Sequence, residues 1–243
     1  MGKPHGGEVV VYYAQKFGRK DWRMASVTPQ LTPQQARGAL DAGALLIDLR
    51  PHAEFAAGYI PGSINLMFSR KSLPERVATA IPQGPPILLL SREATEAEIA
   101  AEALQEVNRN PLQGIVAGGI DGWRAAGFPI ATLSQVDIAS LRERLNARQD
   151  NLLLIDVREP FEWELGYIEG SLLIPLGEIW QRAEELDPRR EIILICEEGI
   201  RSSTGASILL HRGFPQAANV PGGIGDLFNA NYPTIRLPKS PKR

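Results

Sequence analysis

The chain has 243 residues, of which 44% are hydrophobic and 22% are charged, and its formal net charge is -2. This length allows one large domain or two small ones, and the composition is that of an ordinary globular protein. The near-neutral charge gives no electrostatic reason to expect a nucleic-acid partner. The single cysteine, Cys196, cannot form an internal disulfide, which favours a reducing, cytoplasmic location.

The N-terminal part of the chain fits no clear element. Residues 1–26 include an apolar run at 9–14 that is too short for a membrane span and lacks a signal-peptide cleavage pattern. We therefore expect no membrane association and treat 1–26 as an N-terminal extension. Thr32 and Pro33 then predict the N-cap and first residue of a short helix.

Two parts of the chain repeat each other. Leu-Leu-Ile-Asp-Leu-Arg at 45–50 is a buried strand that ends in charge, and it recurs as Leu-Leu-Ile-Asp-Val-Arg at 153–158, an offset of 108. The Gly-Gly-Ile turns at 118–120 and 222–224 recur at an offset of 104. These aligned matches, at nearly the same offset, indicate a tandem duplication.

Both copies show the same order of elements: strand, glycine-containing turn, short helix, strand, helix, short strand, Gly-Gly turn. The later elements are predicted at 87–90, 94–107 and 114–117 in the first copy, and at 192–195, 202–211 and 218–220 in the second. Alternating strands and helices predict an α/β fold with a parallel sheet covered on both faces. We place the boundaries at 27–133 and 134–238, with a tail at 239–243.

The second copy places Cys196 at the C-terminal end of a strand, where open α/β sheets bind ligands. A short loop follows and leads into a predicted helix. Backbone amides and a helix N-terminus lower the pKa of a thiol and create an anion cradle. We expect Gly199 to let the loop curl, and the hydroxyls of Ser202, Ser203 and Thr204 to cap the first helix amides.

The candidate site residues surround this loop. The cradle is predicted to consist of Glu197, Glu198, Gly199, Ile200, Arg201 and Ser202. Asp156 and Arg158 are expected to organise the neighbouring turn, with Glu162 as the partner of Arg158. The three histidines show no metal-ligand spacing with the cysteine, so we predict no metal site.

The motifs at 156–163, 166–171, 196–202 and 222–224 together resemble the rhodanese (sulfurtransferase) family in its tandem-domain form. The resemblance implies two domains, each with a mostly parallel five-stranded sheet flanked by helices. It implies that Cys196 takes a sulfane sulfur from thiosulfate or a persulfide and passes it to a thiol or cyanide, with no cofactor. The first copy has Ser91 in the place of Cys196 and is expected to be catalytically silent.

Two alternatives to this function stay open. The first is a non-catalytic rhodanese-like binding or regulatory module. The second is a protein-tyrosine phosphatase or arsenate reductase, although related phosphatases have one residue more between cysteine and arginine than the four between Cys196 and Arg201. The donor is open as well, because Glu197 and Glu198 would repel an anion such as thiosulfate. A persulfide on a partner protein or on a small thiol is the alternative donor.

Overall fold

The computed structural model describes residues 28–147, 150–229 and 233–236. The predicted extension 1–26 and tail 239–243 lie outside the described residues. We refer to the chain up to residue 133 as the first domain and to the chain from residue 134 as the second domain. No helix of the described part is both long enough and apolar enough to cross a membrane.

The first domain alternates short strands with helices. Its strands are β1 (Gln30–Leu31), β2 (Leu45–Asp48), β3 (Ile64–Asn65), β4 (Ile87–Leu90) and β5 (Leu112–Val116). Its helices are α1 (Pro33–Asp41), α2 (His52–Ala57), α3 (Leu73–Ala80), α4 (Ala94–Val107) and α5 (Gly119–Ala125). The strands form one parallel sheet in the order β1-β5-β4-β2-β3.

The second domain repeats this arrangement. Its strands are β6 (Ser134–Gln135), β7 (Leu152–Asp156), β8 (Leu172–Leu173), β9 (Glu191–Ile195) and β10 (Ala217–Asn219). Its helices are α6 (Ile138–Asn146), α7 (Pro160–Trp163), α8 (Ile179–Arg182), α9 (Ile200–His211) and α10 (Gly223–Asn229). Short 3-10 turns at Leu176–Glu178 and Ala183–Glu185 flank α8. The sheet is again parallel, in the order β6-β10-β9-β7-β8.

The predicted fold class is therefore confirmed, and equivalent residues occupy equivalent places. Leu46 pairs with Leu88 across the centre of the first sheet, and Leu154 pairs with Ile193 across the centre of the second. All four residues are buried. Continuous apolar runs of this kind form the inner strands of a parallel sheet because helices cover both of its faces.

The local predictions hold for most elements. Thr32 forms the capping box of α1 with Gln35, and β4 and α4 have the predicted bounds. The helix that follows Cys196 begins at Ile200, two residues before the predicted start, so part of the predicted loop belongs to its first turn.

The two domains share buried surface. One hydrophobic cluster contains Leu73 and Val77 of α3 together with Leu176 and Ile179 of the second domain. Burial of apolar area stabilises the folded chain by about 25 cal/mol per Å². Because the same cluster includes residues of both domains, the second domain is built against the first as part of a common core.

Candidate active site

Cys196 follows β9 directly and its residue is only 1% exposed. Both hydrogen bonds to its Sγ within the described chain come from Ser202, the backbone N–H at 3.4 Å and the hydroxyl at 3.3 Å. The Cys196 carbonyl accepts a hydrogen bond from the N–H of Ile224 at 2.7 Å. The sulfur is thus held at the first turn of α9, where helix N–H groups and the helix dipole favour a negative charge.

The Gly-Gly turn packs directly on the cysteine loop. Gly199 is the N-cap of α9 with φ +82°, and a Cβ there would lie 2.1 Å from the carbonyl oxygen of Pro221. Gly223 has φ +64°, and a Cβ there would lie 2.1 Å from the carbonyl oxygen of Glu197. Only glycine combines this backbone conformation with such close approach. The two segments therefore fix each other's backbone path.

Arg201 is bound by Glu162 of α7, which lies 39 residues earlier in the chain. The two guanidinium nitrogens donate to the two carboxylate oxygens at 2.5 and 2.7 Å. Burial disfavours the ionised carboxyl, but these bonds and the backbone N–H of Glu159 outweigh it and lower the pKa of Glu162. The same hydrogen bonds raise the pKa of Arg201. The positive charge of Arg201 is therefore largely neutralised at the loop.

The prediction that Glu162 pairs with Arg158 is wrong. Arg158 is buried and reaches back two residues to Asp156, which accepts its Nε and Nη2 at 3.0 and 2.8 Å. The same Nη2 donates to the carbonyl oxygen of Gly166 at 2.8 Å. At the end of a strand, an aspartate and an arginine two residues apart can form an ion pair with each other. Glu162 is therefore available to bind Arg201.

Asp156 and Arg158 form a buried ion pair at the turn after β7. They tie the end of β7 to the backbone at Gly166, and the first domain repeats the pair with Asp48 and Arg50. Removing one partner of such a buried pair would leave an uncompensated charge, at a cost of about 3 to 5 kcal/mol. Neither Asp156 nor Arg158 forms a hydrogen bond to Sγ within the described chain.

The helix hydroxyls do not cap α9 as predicted. No side-chain hydrogen bond caps its N-terminus, where Gly199 is the N-cap residue. Ser202 turns its hydroxyl to the sulfur, whereas Ser203 and Thr204 bind Asn65 of the first domain. With glycine as N-cap the hydroxyls lie too far into the helix to reach back, so they serve tertiary contacts instead.

The remaining loop residues differ in exposure. Glu197 and Glu198 are exposed, Ile200 is partly buried and Gly199 is buried. The carboxylate of Glu197 lies 3.9 Å from Arg158, whose charge is already matched by Asp156. With Arg201 also matched, the loop presents two carboxylates without a dedicated cation.

The first domain holds no thiol at the equivalent position. Ser91 follows β4 as Cys196 follows β9, and its hydroxyl donates to the carbonyl of Glu93 at 2.6 Å. No three His, Cys, Asp or Glu side chains of residues 28–147, 150–229 and 233–236 are grouped as metal ligands.

Sequence reasoning missed Asn65 and the sulfur contact of the Ser202 hydroxyl. Asn65 lies 138 residues before Ser203, so no local pattern joins them. One signal was present in the sequence: α9 carries small hydroxyl residues but no charge between Arg201 and His211, which is typical of a helix buried on two sides.

Comparison with known proteins identifies the family of the chain. The family model of the rhodanese-like domain matches residues 32–126 and 137–230. A sulfurtransferase of Allochromatium vinosum is 33% identical over 92 residues, which are 38% of this chain and 85% of that protein. The putative sulfur carrier protein YrkF of Bacillus subtilis is 33% identical over 96 residues, 40% of this chain, and the match spans only 51% of that relative.

Among solved structures, thiosulfate sulfurtransferase from Pseudomonas aeruginosa is similar with 24% identity and a TM-score of 0.38, and the match covers 85% of this chain and 43% of that one. The two matches to the family model together cover well over half of the chain. The chain therefore belongs to the rhodanese-like family and carries two of its domains in tandem.

Proposed function

We propose that this protein is a sulfurtransferase that carries a sulfane sulfur as a persulfide on Cys196. The observation that supports it most is the environment of Sγ. The sulfur lies at the end of a central parallel strand and accepts both the N–H and the hydroxyl of Ser202 at the start of α9. Such donors stabilise a thiolate, which is the form that attacks sulfur.

The reaction is written as two displacements at sulfur. The Cys196 thiolate attacks the outer sulfur of the donor, a new S–S bond forms, and the donor's own bond to that sulfur breaks. The electron pair leaves with the donor fragment, as sulfite from thiosulfate or as a thiolate from a persulfide. The acceptor, a thiolate or cyanide, then attacks the outer sulfur and restores the Cys196 thiolate. The exchange needs no external oxidant, and ping-pong kinetics follow.

The charge of the loop favours a thiol persulfide as donor over thiosulfate. Glu162 neutralises Arg201, while Glu197 and Glu198 are exposed next to the nucleophile. Phe161, which precedes Glu162 in α7, is 68% exposed, and we propose that it is available for an apolar contact with a larger donor. The Bacillus relative is named as a putative sulfur carrier protein, which supports a donor or acceptor held on a protein.

The carboxylates can be tested by a double substitution, Glu197→Gln with Glu198→Gln. Each exposed charge contributes about 0.2 to 1 kcal/mol, so kcat/KM for thiosulfate should rise by about twofold to about thirtyfold in the double variant. The value for a neutral alkyl persulfide should change little. The exposed pair Glu102 and Glu106 of the first domain serves as the matched control, with glutamine substitutions that alter neither value. An unchanged thiosulfate value in the loop variant would refute this donor preference.

The persulfide itself can be tested by intact mass. After incubation with thiosulfate or an alkyl persulfide and removal of the small molecules, the protein should gain the mass of one sulfur atom. Cys196→Ser, which installs the residue found at position 91, should gain none. If no donor adds mass to the native protein, the binding or regulatory module is the better description. Turnover of an aryl phosphate or of arsenate without sulfur loading would favour the phosphatase or arsenate reductase.

The single thiol also bears on the location. A lone reactive cysteine stays reduced in the cytoplasm, and we propose that compartment as the place of action.

A further inference from the structure

Helix α9 is buried on two sides. Every residue from Ser202 to Leu209 is buried, although five of these eight residues are Ser, Thr or Gly. Gly205 faces its own sheet, because a Cβ there would lie 2.8 Å from the side chain of Leu194. Ser203, Thr204 and Ser207 face the first domain instead.

The contact across the domains centres on Asn65. Its backbone N–H donates to the hydroxyl of Ser207 at 3.0 Å, and its backbone carbonyl accepts the hydroxyl of Thr204 at 2.6 Å. Its side-chain oxygen accepts the hydroxyl of Ser203 at 3.0 Å. Asn65 lies in β3, an edge strand of the first sheet. The helix hydroxyls thus satisfy backbone groups that an adjacent strand would otherwise bind.

The side-chain nitrogen of Asn65 forms its hydrogen bonds within the first domain. Its Nδ2 donates to the backbone carbonyls of Asp48 and Arg50 at 3.2 and 2.9 Å. Those two residues form the buried ion pair of that domain. The side chain therefore connects a rigid strand end of the first domain to the first turn of α9.

This contact is not symmetric between the domains. The residue at the offset of 108 from Asn65 is Leu173, which offers no side-chain hydrogen bond. Ser203 and Ser207 lie seven and eleven residues after Cys196. The residues at the same distances after Ser91 are Glu98 and Glu102. Both are exposed on α4. Among the described residues, this polar link is therefore formed by the helix that follows the cysteine loop and not by its counterpart α4.

We propose that Asn65 is a positioning residue for Cys196, and that the first domain completes the active site through it. The link is short: Ser203 and Thr204, which bind Asn65, directly follow Ser202, which donates twice to Sγ. Holding these two residues fixes the orientation of the Ser202 donors. The inference rests on the proposed function only in taking Cys196 as the reactive thiol.

The test measures the rate of alkylation of Cys196 by iodoacetamide across pH, in the full chain. The plateau at high pH reports access to the sulfur, whereas the midpoint reports stabilisation of the thiolate. Asn65→Leu, which keeps the side-chain shape, and Ser203→Ala should each move the midpoint upward by about half a pH unit, which is about a threefold change in the ionisation constant of the thiol. The double variant should move it no further than the larger single change.

Ser207→Ala is the matched control. It removes another hydrogen bond of the same contact, one turn further from the sulfur, and should lower the stability to urea without moving the midpoint. If Asn65→Leu does not fold, Ser203→Ala alone decides. Midpoints equal to the native one in the folded variants, or an equal shift in Ser207→Ala, would overturn the proposal. Because alkylation requires no sulfur transfer, a failed transfer assay leaves this test independent.

Discussion

Glu162→Gln breaks the ion pair that holds Arg201 beside the cysteine loop. The Glu162 side chain is 13% exposed and that of Arg201 is 30% exposed, and the pair is bidentate. Fully exposed ion pairs contribute about 0 to 1 kcal/mol to the free energy of unfolding, and the loss of one partner of a buried pair lowers it by about 3 to 5 kcal/mol. Glutamine keeps one neutral acceptor. We expect a loss of about 1 to 2 kcal/mol in the free energy of unfolding.

The same substitution changes the response to acid. The folded protein holds the pKa of Glu162 below its ordinary value of 4.5, so the folded chain binds fewer protons than the unfolded chain in mild acid. The stabilisation is complete above that ordinary value and disappears as the pH falls through the lower folded value. The native protein should therefore lose more stability than Glu162→Gln between about pH 7 and about pH 3.5.

Urea unfolding followed by circular dichroism at both pH values measures these differences. Glu164→Gln, at the exposed C-cap of the same helix, is the matched control and should behave like the native protein at both pH values. If Glu162→Gln unfolds at pH 7 with the native free energy, within about 0.3 kcal/mol, the pair makes no net contribution and the reasoning fails.

Two further substitutions test the loop itself. Gly223→Ala would bring a Cβ to 2.1 Å from the carbonyl oxygen of Glu197, and urea unfolding should show a loss of about 3 kcal/mol or more in the free energy of unfolding. The control Gly170→Ala, at φ +83° with nothing within 4 Å, should lose only about 1 kcal/mol. Equal losses in the two variants would contradict the close packing at Gly223. Ser202→Ala removes the hydroxyl donor to Cys196 and keeps the amide, so sulfur loading followed by rapid-quench mass measurement should be about tenfold slower. An unchanged loading rate would show that the hydroxyl does not act on the thiolate.

The repeat made the fold predictable from the sequence. The paired segments at 45–50 and 153–158 are apolar, short and end in the same Asp-X-Arg pattern, so two equivalent inner strands could be expected without any structure. The position of Cys196 followed from the same logic, because ligands of parallel sheets lie at the strand ends. Local pattern is sufficient for these features since each depends on one short stretch of chain.

The partners of charged and hydroxyl groups were less predictable. Glu162 could reach either Arg158 or Arg201, and only the three-dimensional course of α7 decides for Arg201. Ser203 and Thr204 match a helix start, yet they bind a residue of the other domain. Such choices depend on how two distant segments approach, which the composition of neither segment determines.

The most direct test of the central claim is a single turnover on the isolated persulfide. The protein is loaded with a sulfane donor, freed of small molecules and mixed with excess cyanide while its intact mass is followed. We predict that one sulfur atom leaves Cys196 and that an equal amount of thiocyanate forms. A Cys196→Ser protein treated with the donor in the same way should carry no added sulfur and form no thiocyanate. A stable added mass that cyanide does not remove, or thiocyanate formed equally by the serine variant, would contradict a transferable persulfide at Cys196.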